Sequence, residues 1–369
     1  MNIIKVVNYI RQNSSDAYKK AVKVIKANTS ITDFSAMLDS YSLGKNEFAK
    51  GLSNMIGSSI LTSIGDFKSP VDKYKTAPPS TGVDIREIAN GLIEGQKFDF
   101  STTGIAEMFK IHESEFAECY HRLNRQNLYP ITISKKELKL ALTSWDNLEQ
   151  LINEKMVTLT ESNKYDEFQL FIDLVNETVS NENVKVIEID EVKDNASGLA
   201  FIETVKNVVS SFQYRDSTNC IYGNKNKNTK IKPICNKENC SIIMPYALGN
   251  KLDVNSMASA FNMDKLKYKT DTYTEVQTLG YIKREVTSSS NPSTTETVYY
   301  AVDALISDKG FFIIKDDEDN GVDTNELPTI RAYNCYLHIW QWWSTSPFRC
   351  VNALVHKVES SEIPDGYFE

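Results

Sequence analysis

The sequence predicts an α+β protein, because helical patterns occupy the first two thirds of the chain and strand patterns the last third. Ser134 and Glu137 form a capping box at the start of an apolar stripe with helical spacing. The stripe predicts a long helix over residues 134–160, which is about 27 residues or roughly 40 Å at 1.5 Å per residue. Beyond residue 273, apolar and polar residues alternate, and this alternation predicts strands.

Further elements follow from the same two periodicities. Helical spacing recurs in residues 1–65, 85–93, 168–179 and 199–212. Strands are expected at 97–100, 116–120 and 184–189, and then at 276–285, 297–306, 311–315, 329–333, 336–343 and 348–356. Residues 76–83 form a break rich in Pro and Gly, and residues 213–240 are typical of an irregular insertion rich in Asn and Lys.

The composition excludes several classes of protein. A chain of 369 residues is too long for one simple core and is expected to divide into two or three lobes. Hydrophobic residues make up 41%, which excludes a disordered chain. The net charge of -8 argues against a protein whose whole surface grips nucleic acid. We find no signal peptide and no membrane-length apolar stretch, so we expect a cytoplasmic chain whose six cysteines are thiols without disulfides.

Residues 120–130 have the chemistry of a surface strand that contacts another protein, since long polar and cationic side chains are interleaved with apolar ones. Further along, Trp342 and Trp343 point to opposite faces of a predicted strand, with Trp340 on the face of Trp342. That strand is either central between two layers or exposed to a partner subunit. The candidate inter-subunit contact residues are His121, Arg122, Arg125, Gln126, Tyr129, Trp342 and Trp343.

Two patterns suggest a metal site, and each has a plainer interpretation. Cys235 and Cys240, with Cys220 upstream, offer three of the four ligands of a structural zinc site, so a thiol-bearing loop is favoured. Residues 316–321 imitate the start of a calcium loop, but Leu327 stands where the loop needs its bidentate acid. A solvated turn between strands is therefore favoured, and no metal or cofactor is predicted.

A basic run suggests contact with DNA but is typical of a flexible loop. Lys225, Lys227, Lys230 and Lys232 repel one another and extend the chain, and no aromatic residue lies among them for stacking on bases. The chain contains no HExxH motif, no G-x-S-x-G motif and no phosphate-binding loop. The sequence therefore predicts no catalytic site.

Several blocks resemble the major capsid proteins of phi-29-like short-tailed bacteriophages. The run 120–152 carries Asn124-Arg125-Gln126, the spaced Tyr129 and Ser144-Trp145-x-Asn147. Further blocks lie at 253–254, 260–263, 302–312, 336–341 and 348–349, with a weaker one at 69–75 and 86–88. The blocks occur in the order of the family and cover most of residues 65–357.

The resemblance implies the Hong Kong 97-type capsid fold. It implies an N-terminal arm at 1–65, an extended loop with the start of the peripheral domain at 66–133, the peripheral domain with its spine helix at 134–189, a mainly axial domain at 190–330, and closing peripheral strands with the tail at 331–369. It also implies hexamers and pentamers in an icosahedral virion shell, assembled in the host cytoplasm with scaffolding and portal proteins. The shell would enclose double-stranded DNA without sequence-specific contact, with no membrane and no cofactor.

Two other classes of function remain open at this point. A cytoplasmic binding or scaffold protein could use the same aromatic strands to hold one partner in a small complex, which the stoichiometry of the complex would distinguish from a shell. A hydrolase with an unrecognised site would need a cleft with titratable groups of shifted pKa. On the capsid interpretation we expect Arg125→Glu to block assembly while leaving the subunit folded.

Overall fold

A computed structural model describes residues 3–52, 69–77, 84–95, 113–259, 273–287, 295–318, 320–327, 329–330, 332–364 and 367. The helices that it describes are α1 (Ile3–Asn13), α2 (Asp16–Ala21), α3 (Ile31–Asp39), α4 (44–52), α5 (Lys135–Ala141), α6 (Trp145–Ser180), α7 (Asn195–Ser211), α8 (Ile221–Lys225) and α9 (Tyr246–Ser259). Among them α6 stands out, because its 36 residues extend over roughly 54 Å.

The described strands are β1 (Lys75–Thr76), β2 (Asp84–Asn90), β3 (Phe116–Arg122), β4 (Arg125–Ser134), β5 (Lys185–Glu188), β6 (Cys240–Pro245), β7 (Thr274–Val276), β8 (Tyr281–Thr287), β9 (Thr295–Asp308), β10 (Phe312–Asp316), β11 (Gly321–Leu327), β12 (Ala332–Thr345) and β13 (Val351–Val358). They form two mixed sheets and one separate hairpin of β2 and β3.

The first sheet is organised around the long strand β12. β4 pairs antiparallel with β12 from Ser134↔Ala332 to Arg125↔Gln341. β10 and β11 both pair antiparallel with β12, at Asp316↔Gln341 and Gly321↔His338, and the register shifts by two residues between them. β10 and β11 therefore act as one long strand interrupted by a bulge, which is a device that bends a sheet locally.

The second sheet has the order β5-β13-β9-β6-β7, with β8 also paired to β9. It is covered on both faces, as the alternation along β13 illustrates. Ala353 and Val355 pack with the C-terminal half of α6, whereas Leu354 packs with α7 and α9. A strand that is buried on both faces needs a continuous apolar run, and β13 supplies one.

Helix α6 connects the cores of the two sheets. Its N-terminal half contributes Leu148, Ile152 and Leu159 to a cluster with β4, β12 and the helices α1–α4. Its C-terminal half contributes Phe171, Val175 and Val179 to the cluster between the sheets. Between these halves the same face of the helix carries buried polar residues, so one helix holds two apolar cores separated by a polar band.

The predicted spine helix is confirmed at its start and corrected in its course. The Ser134 capping box exists, but the helix that it opens ends at Ala141. Ser144 has an extended backbone and its side chain accepts hydrogen bonds from the backbone amides of Asp146 and Asn147, which starts a second helix. That second helix runs without a break through residues 168–179, where the sequence predicts a separate helix. Periodicity alone predicts one helix here, and the second capping residue, Ser144, divides it into α5 and α6.

Three other expectations change. The helix expected at residues 85–93 is wrong, because β2 occupies this segment and its burial alternates with period two against β3. The strand expected at 276–285 consists of β7 and β8, and the two strands expected at 329–333 and 336–343 are one continuous strand, β12. The elements β6, α9 and β11 have no counterpart among the predicted elements. The strand expected at 97–100 lies outside the described residues.

Residues 3–52 form a folded unit against their own chain. Phe34 stacks on Trp145 with ring centroids 5.4 Å apart, and Trp145 Nε1 donates to the carbonyl of Thr29 at 3.2 Å. Tyr333 Oη donates to Asn46 Oδ1 at 2.8 Å. Within the described part of the chain, the first helices thus cover one face of the first sheet.

Candidate subunit-contact region

The chain bends between β3 and β4, and there the side chain of Asn124 makes the hydrogen bonds to β12 that a strand backbone would otherwise make. Its side-chain amide donates to the carbonyl of Trp343 at 2.7 Å, and its Oδ1 accepts from the amide of Trp343 at 2.9 Å. The ladder of β4 along β12 stops at Arg125↔Gln341. Asn124 therefore satisfies the next pair of backbone groups on β12 and allows the chain to leave the sheet.

Arg125 is buried directly beyond this bend, with only 5% of its surface exposed. Its guanidinium donates to Tyr129 Oη at 2.6 Å, to Asn163 Oδ1 at 3.0 Å and to Gln341 Oε1. Tyr129 Oη in turn donates to Asp166 Oδ2 at 2.6 Å. The planar guanidinium thus connects β4 to α6 and β12, with donors fixed in direction.

Glu167 lies at the centre of the polar band and is completely buried. Its Oε1 accepts from Lys75 Nζ at 2.9 Å, from Gln341 Nε2 at 2.7 Å and from Asn163 Nδ2 at 3.1 Å. Burial acts to raise the pKa of this carboxyl, but the ammonium groups of Lys75 and Lys164 and the hydrogen bonds outweigh it, so the pKa of Glu167 is lowered. A carboxylate that accepts several hydrogen bonds stays ionised in a protein interior.

The short segment before β2 is tied to α6 through two lysines. Lys164 Nζ donates to Asp72 Oδ1 at 2.8 Å, and Lys75 Nζ lies 3.3 Å from Asp316 Oδ1 as well as beside Glu167. Burial acts to lower the pKa of Lys75, but the two carboxylates outweigh it and the pKa is raised. The polar band therefore fixes four elements, β1, β4, β10 and β12, on a single turn of α6.

His121 connects the β2–β3 hairpin to the end of β12. It is almost fully buried; its Nδ1 lies 2.9 Å from Ser344 Oγ and its Nε2 lies 3.3 Å from Glu87 Oε2. Glu87 also accepts from Ser346 Oγ at 2.9 Å. Burial acts to raise the pKa of Glu87, and the hydrogen bonds from His121 and Ser346 together with Arg349 outweigh it, so the pKa is lowered.

The seven candidate contact residues therefore separate into two groups. His121, Arg125, Trp342 and Trp343 are buried within their own chain, and Tyr129 is partly buried between Arg125 and Asp166. Trp342 and Trp343 are both covered, which corresponds to the interpretation of β12 as a central strand. Arg122 and Gln126 face solvent. The expectation that Arg125→Glu leaves the subunit folded needs correction, because the substitution would place a second carboxylate beside Glu167.

The polar band was missed by sequence reasoning, although a signal for it exists. Leu159, Asn163, Glu167 and Phe171 follow one another at intervals of four on one face of α6. Two polar residues at stripe positions indicate either an exposed stretch or a buried network. Spacing alone cannot distinguish an exposed stretch from a buried network, because the partners Lys75 and Gln341 lie far away in sequence.

Residues 213–240 are held in place by the rest of the chain. Cys220, Cys235, Cys240 and Cys350 are buried and are not joined in disulfides, and Cys235 Sγ lies 3.6 Å from Cys240 Sγ. In the part of the chain that the structure describes, no group of three His, Cys, Asp or Glu could hold a metal ion. β10 ends at Asp316 and β11 begins at Gly321, and the described residues 317, 318 and 320 lie between these two strands. No described helix is long and apolar enough to cross a bilayer.

Solved structures with a similar fold place the chain in a structural class. A chain in the capsid structure of Staphylococcus phage Andhra matches with a TM-score of 0.57 and 10% identity, over 77% of this chain and 83% of that chain. A chain in the structure of head fiber and inner core protein gp22 of native bacteriophage P68 matches with a TM-score of 0.58 and 12% identity, over 78% and 84%. The fold is the Hong Kong 97-type α+β fold of phage capsid subunits.

Sequence comparison then gives the family. The profile of Phi29-like phage major capsid proteins matches residues 7–355. The major capsid protein of Bacillus phage PZA is 24% identical over 95% of this chain and 71% of its own length, and that of Streptococcus phage Cp-1 is 22% identical over 71% and 72%. The chain belongs to the Phi29-like phage major capsid protein family. It is a major capsid protein that forms a phage shell, and the small-complex alternative is not favoured.

Proposed function

We propose that this capsid subunit assembles into hexamers and pentamers through the outer face of the β2–β3 hairpin. The observation that carries the proposal is the exposed aromatic surface of this hairpin. Phe116 and Tyr120 are 64% and 51% exposed, and Ile88 lies on the same face. Arg86 pairs with Glu118 beside them at 2.5 Å. Aromatic residues and arginine are enriched at protein interfaces, and an isolated two-stranded hairpin with such a face gains stability by being covered.

Each candidate contact residue has a role in this proposal. Arg122, at the end of β3, and Gln126, in β4, face solvent and would contact a neighbouring subunit directly. His121, Arg125, Tyr129, Trp342 and Trp343 would act as positioning residues, because their bonds and packing set the angle at which the hairpin leaves the sheet. The shell role requires no catalytic step.

The resemblance supports scaffolding and portal proteins as partners and assembly in the host cytoplasm. It also supports the division into an arm at 1–65, an extended loop at 66–133, a peripheral domain at 134–189 and 331–369, and an axial domain at 190–330. The net charge of -8 supports enclosure of double-stranded DNA without extensive gripping of its backbone.

The hairpin contact can be tested by Tyr120→Asp, with Tyr120→Phe as the matched control. We expect Tyr120→Asp to remain a folded subunit and to lose closed shells in electron micrographs of co-expression with the scaffolding protein, because a charge would be buried at the contact. Tyr120→Phe keeps the ring and should assemble normally. Normal shells from Tyr120→Asp would exclude this face from the subunit contact.

A further inference from the structure

The insertion at residues 213–240 differs in charge from the rest of the chain. It contains six Lys and Arg against two Asp and Glu, whereas the whole chain has a net charge of -8. The cations are Arg215, Lys225, Lys227, Lys230, Lys232 and Lys237. We refer to the exposed surface that they form as the cationic insertion face. A local excess of this kind on an acidic protein indicates a surface for a negatively charged partner.

The backbone of the face is fixed, in contrast to the flexible loop that the lysine run predicts. Lys230 accepts a hydrogen bond at its carbonyl from the amide of Leu92 at 2.9 Å, and its own amide donates to Glu115 Oε2 at 2.6 Å. Thr229 and Ile231 are buried on either side of it, and Ile231 packs against Phe348. This alternation of buried and exposed residues turns Lys230 and Lys232 outward.

Arg215 of this face and Lys185 from β5 lie beside the lysine run. Arg215 donates to the carbonyl of Lys232 at 3.3 Å, and Lys185 from β5 donates to Thr218 Oγ1 at 3.3 Å. Asp216 lies between them, and its carboxylate is occupied by the amide and hydroxyl of Thr218. Tyr214, next to Arg215, is 74% exposed. The fold therefore supplies the exposed aromatic ring that the lysine run lacks in sequence.

The lysines of this face are available to a partner. Among the residues that the structure describes, no carboxylate lies within 4.0 Å of the ammonium groups of Lys225, Lys227, Lys230 or Lys232, although Glu115 binds the backbone of Lys230. Lys75 and Lys164, by contrast, are each paired with carboxylates of their own chain. Lysines without a carboxylate partner on a fixed backbone attract anions and release the counterions of a polyanion when they bind it.

We propose that the cationic insertion face contacts the phosphate backbone of double-stranded DNA inside the shell, without reading its sequence. The proposal rests on enclosure of DNA by the proposed shell. Lysine is a point charge that suits phosphate, whereas base recognition uses bidentate Arg, Asn or Gln side chains. DNA fits better than an acidic protein, because the exposed residues between Lys225 and Lys232 are Lys and Asn, and the one apolar residue in this stretch, Ile231, is buried.

Binding can be measured with the purified subunit and a fluorescent random-sequence duplex over a range of salt concentrations. The test variant is K225Q/K227Q/K230Q/K232Q, and the matched control K20Q/K23Q/K26Q/K50Q removes four exposed lysines from the N-terminal helices and their connection. We expect the test variant to lose affinity about tenfold or more. The slope of log affinity against log salt should fall by about 0.9 for each phosphate that the variant no longer neutralises. The control should bind like the wild type.

Four further measurements accompany the binding assay. Circular dichroism and shell assembly of the test variant separate DNA contact from folding and from shell formation, so that a failure of assembly is recognised independently of a failure of binding. Polyglutamate serves as a second probe. In particles, acetylation of these lysines should be lower in DNA-filled heads than in empty ones.

The opposite results overturn the proposal. Equal duplex affinity in the test and control variants would exclude the face as a DNA contact. Loss of polyglutamate binding with unchanged duplex binding would assign the face to an acidic protein instead. Equal acetylation in filled and empty heads would exclude contact with the packaged DNA, and a strong preference among duplex sequences would contradict binding through phosphates alone.

Discussion

Glu167 is the residue on which the contacts of the polar band of α6 converge. Both its charge and its position matter, because Lys75, Lys164 and Arg125 all lie within 4.0 Å of its carboxylate. Buried ion pairs contribute little when they are replaced as a set by apolar residues, but the loss of one member leaves the others uncompensated. The network therefore specifies how β1, β4 and β12 sit on α6.

At the residue scale, we predict that Glu167→Gln lowers the free energy of unfolding by about 3 kcal/mol, because buried cations lose their counter-charge. The measurement is thermal and urea unfolding of the unassembled subunit. Glu161→Gln, on an exposed part of the same helix, is the matched control and should change stability by less than about 0.5 kcal/mol.

The difference in stability between the wild type and Glu167→Gln should depend on pH in one direction. The pKa of Glu167 is lower in the folded chain than in the unfolded chain, so its contribution to stability is complete above the ordinary glutamate pKa. It is lost as the pH falls through the lower folded value. The difference between wild type and Glu167→Gln should therefore shrink in acid, and a difference that grows in acid would contradict the ionised state of this residue.

At the scale of elements, a break divides α5 from the longest helix, α6. Ser144 stops the helix that Ser134 begins and starts the next one three residues after Ala141. The hydrogen bonds of Ser144 therefore make α6 a separate helix from α5.

We predict that Ser144→Ala lowers the free energy of unfolding by about 1 kcal/mol, because two amide groups at the start of α6 lose their acceptor. The comparison is Ser162→Ala, whose hydroxyl bonds a carbonyl within the same helix and caps nothing. Urea unfolding of both variants checks the prediction. A larger loss for Ser162→Ala than for Ser144→Ala would refute the capping role.

At the scale of the whole molecule, the N-terminal helices and the first sheet share one apolar core. Phe34 is fully buried between Phe48 and Trp145, and the same cluster extends to Leu337 and Ile339 on β12. The arm implied by resemblance is, over residues 3–52, a packed unit on its own subunit.

We predict that Phe34→Ala destabilises the subunit by about 3 kcal/mol and makes residues 3–52 sensitive to protease, because it leaves a cavity beneath Trp145. Val24→Ala is the control, since Val24 is exposed and its truncation leaves no cavity. Limited proteolysis and thermal unfolding measure both effects. Equal cleavage of the two variants would show that the Phe34 ring does not hold the N-terminal helices on the first sheet.

The sequence by itself determined the α+β class, the Ser134 capping box, α7, β5, and strands β9, β10 and β13, and it predicted β12 as two separate strands. These rest on local periodicity and capping, which act over a few residues. The resemblance identified the family because its blocks stand in the order of the family. Periodicity does not detect the end of α5, since the apolar spacing continues across Ser144.

The tertiary structure alone decided which contact residues are buried. His121 and Arg125 have the composition of a surface strand, yet their partners Ser344 and Asn163 come from distant parts of the chain. It also decided that β2 is a strand, because its partner β3 lies well beyond it in the sequence. Burial and ion pairing depend on elements brought together from across the sequence, and long-range contact of this kind leaves at most an ambiguous signal in local spacing.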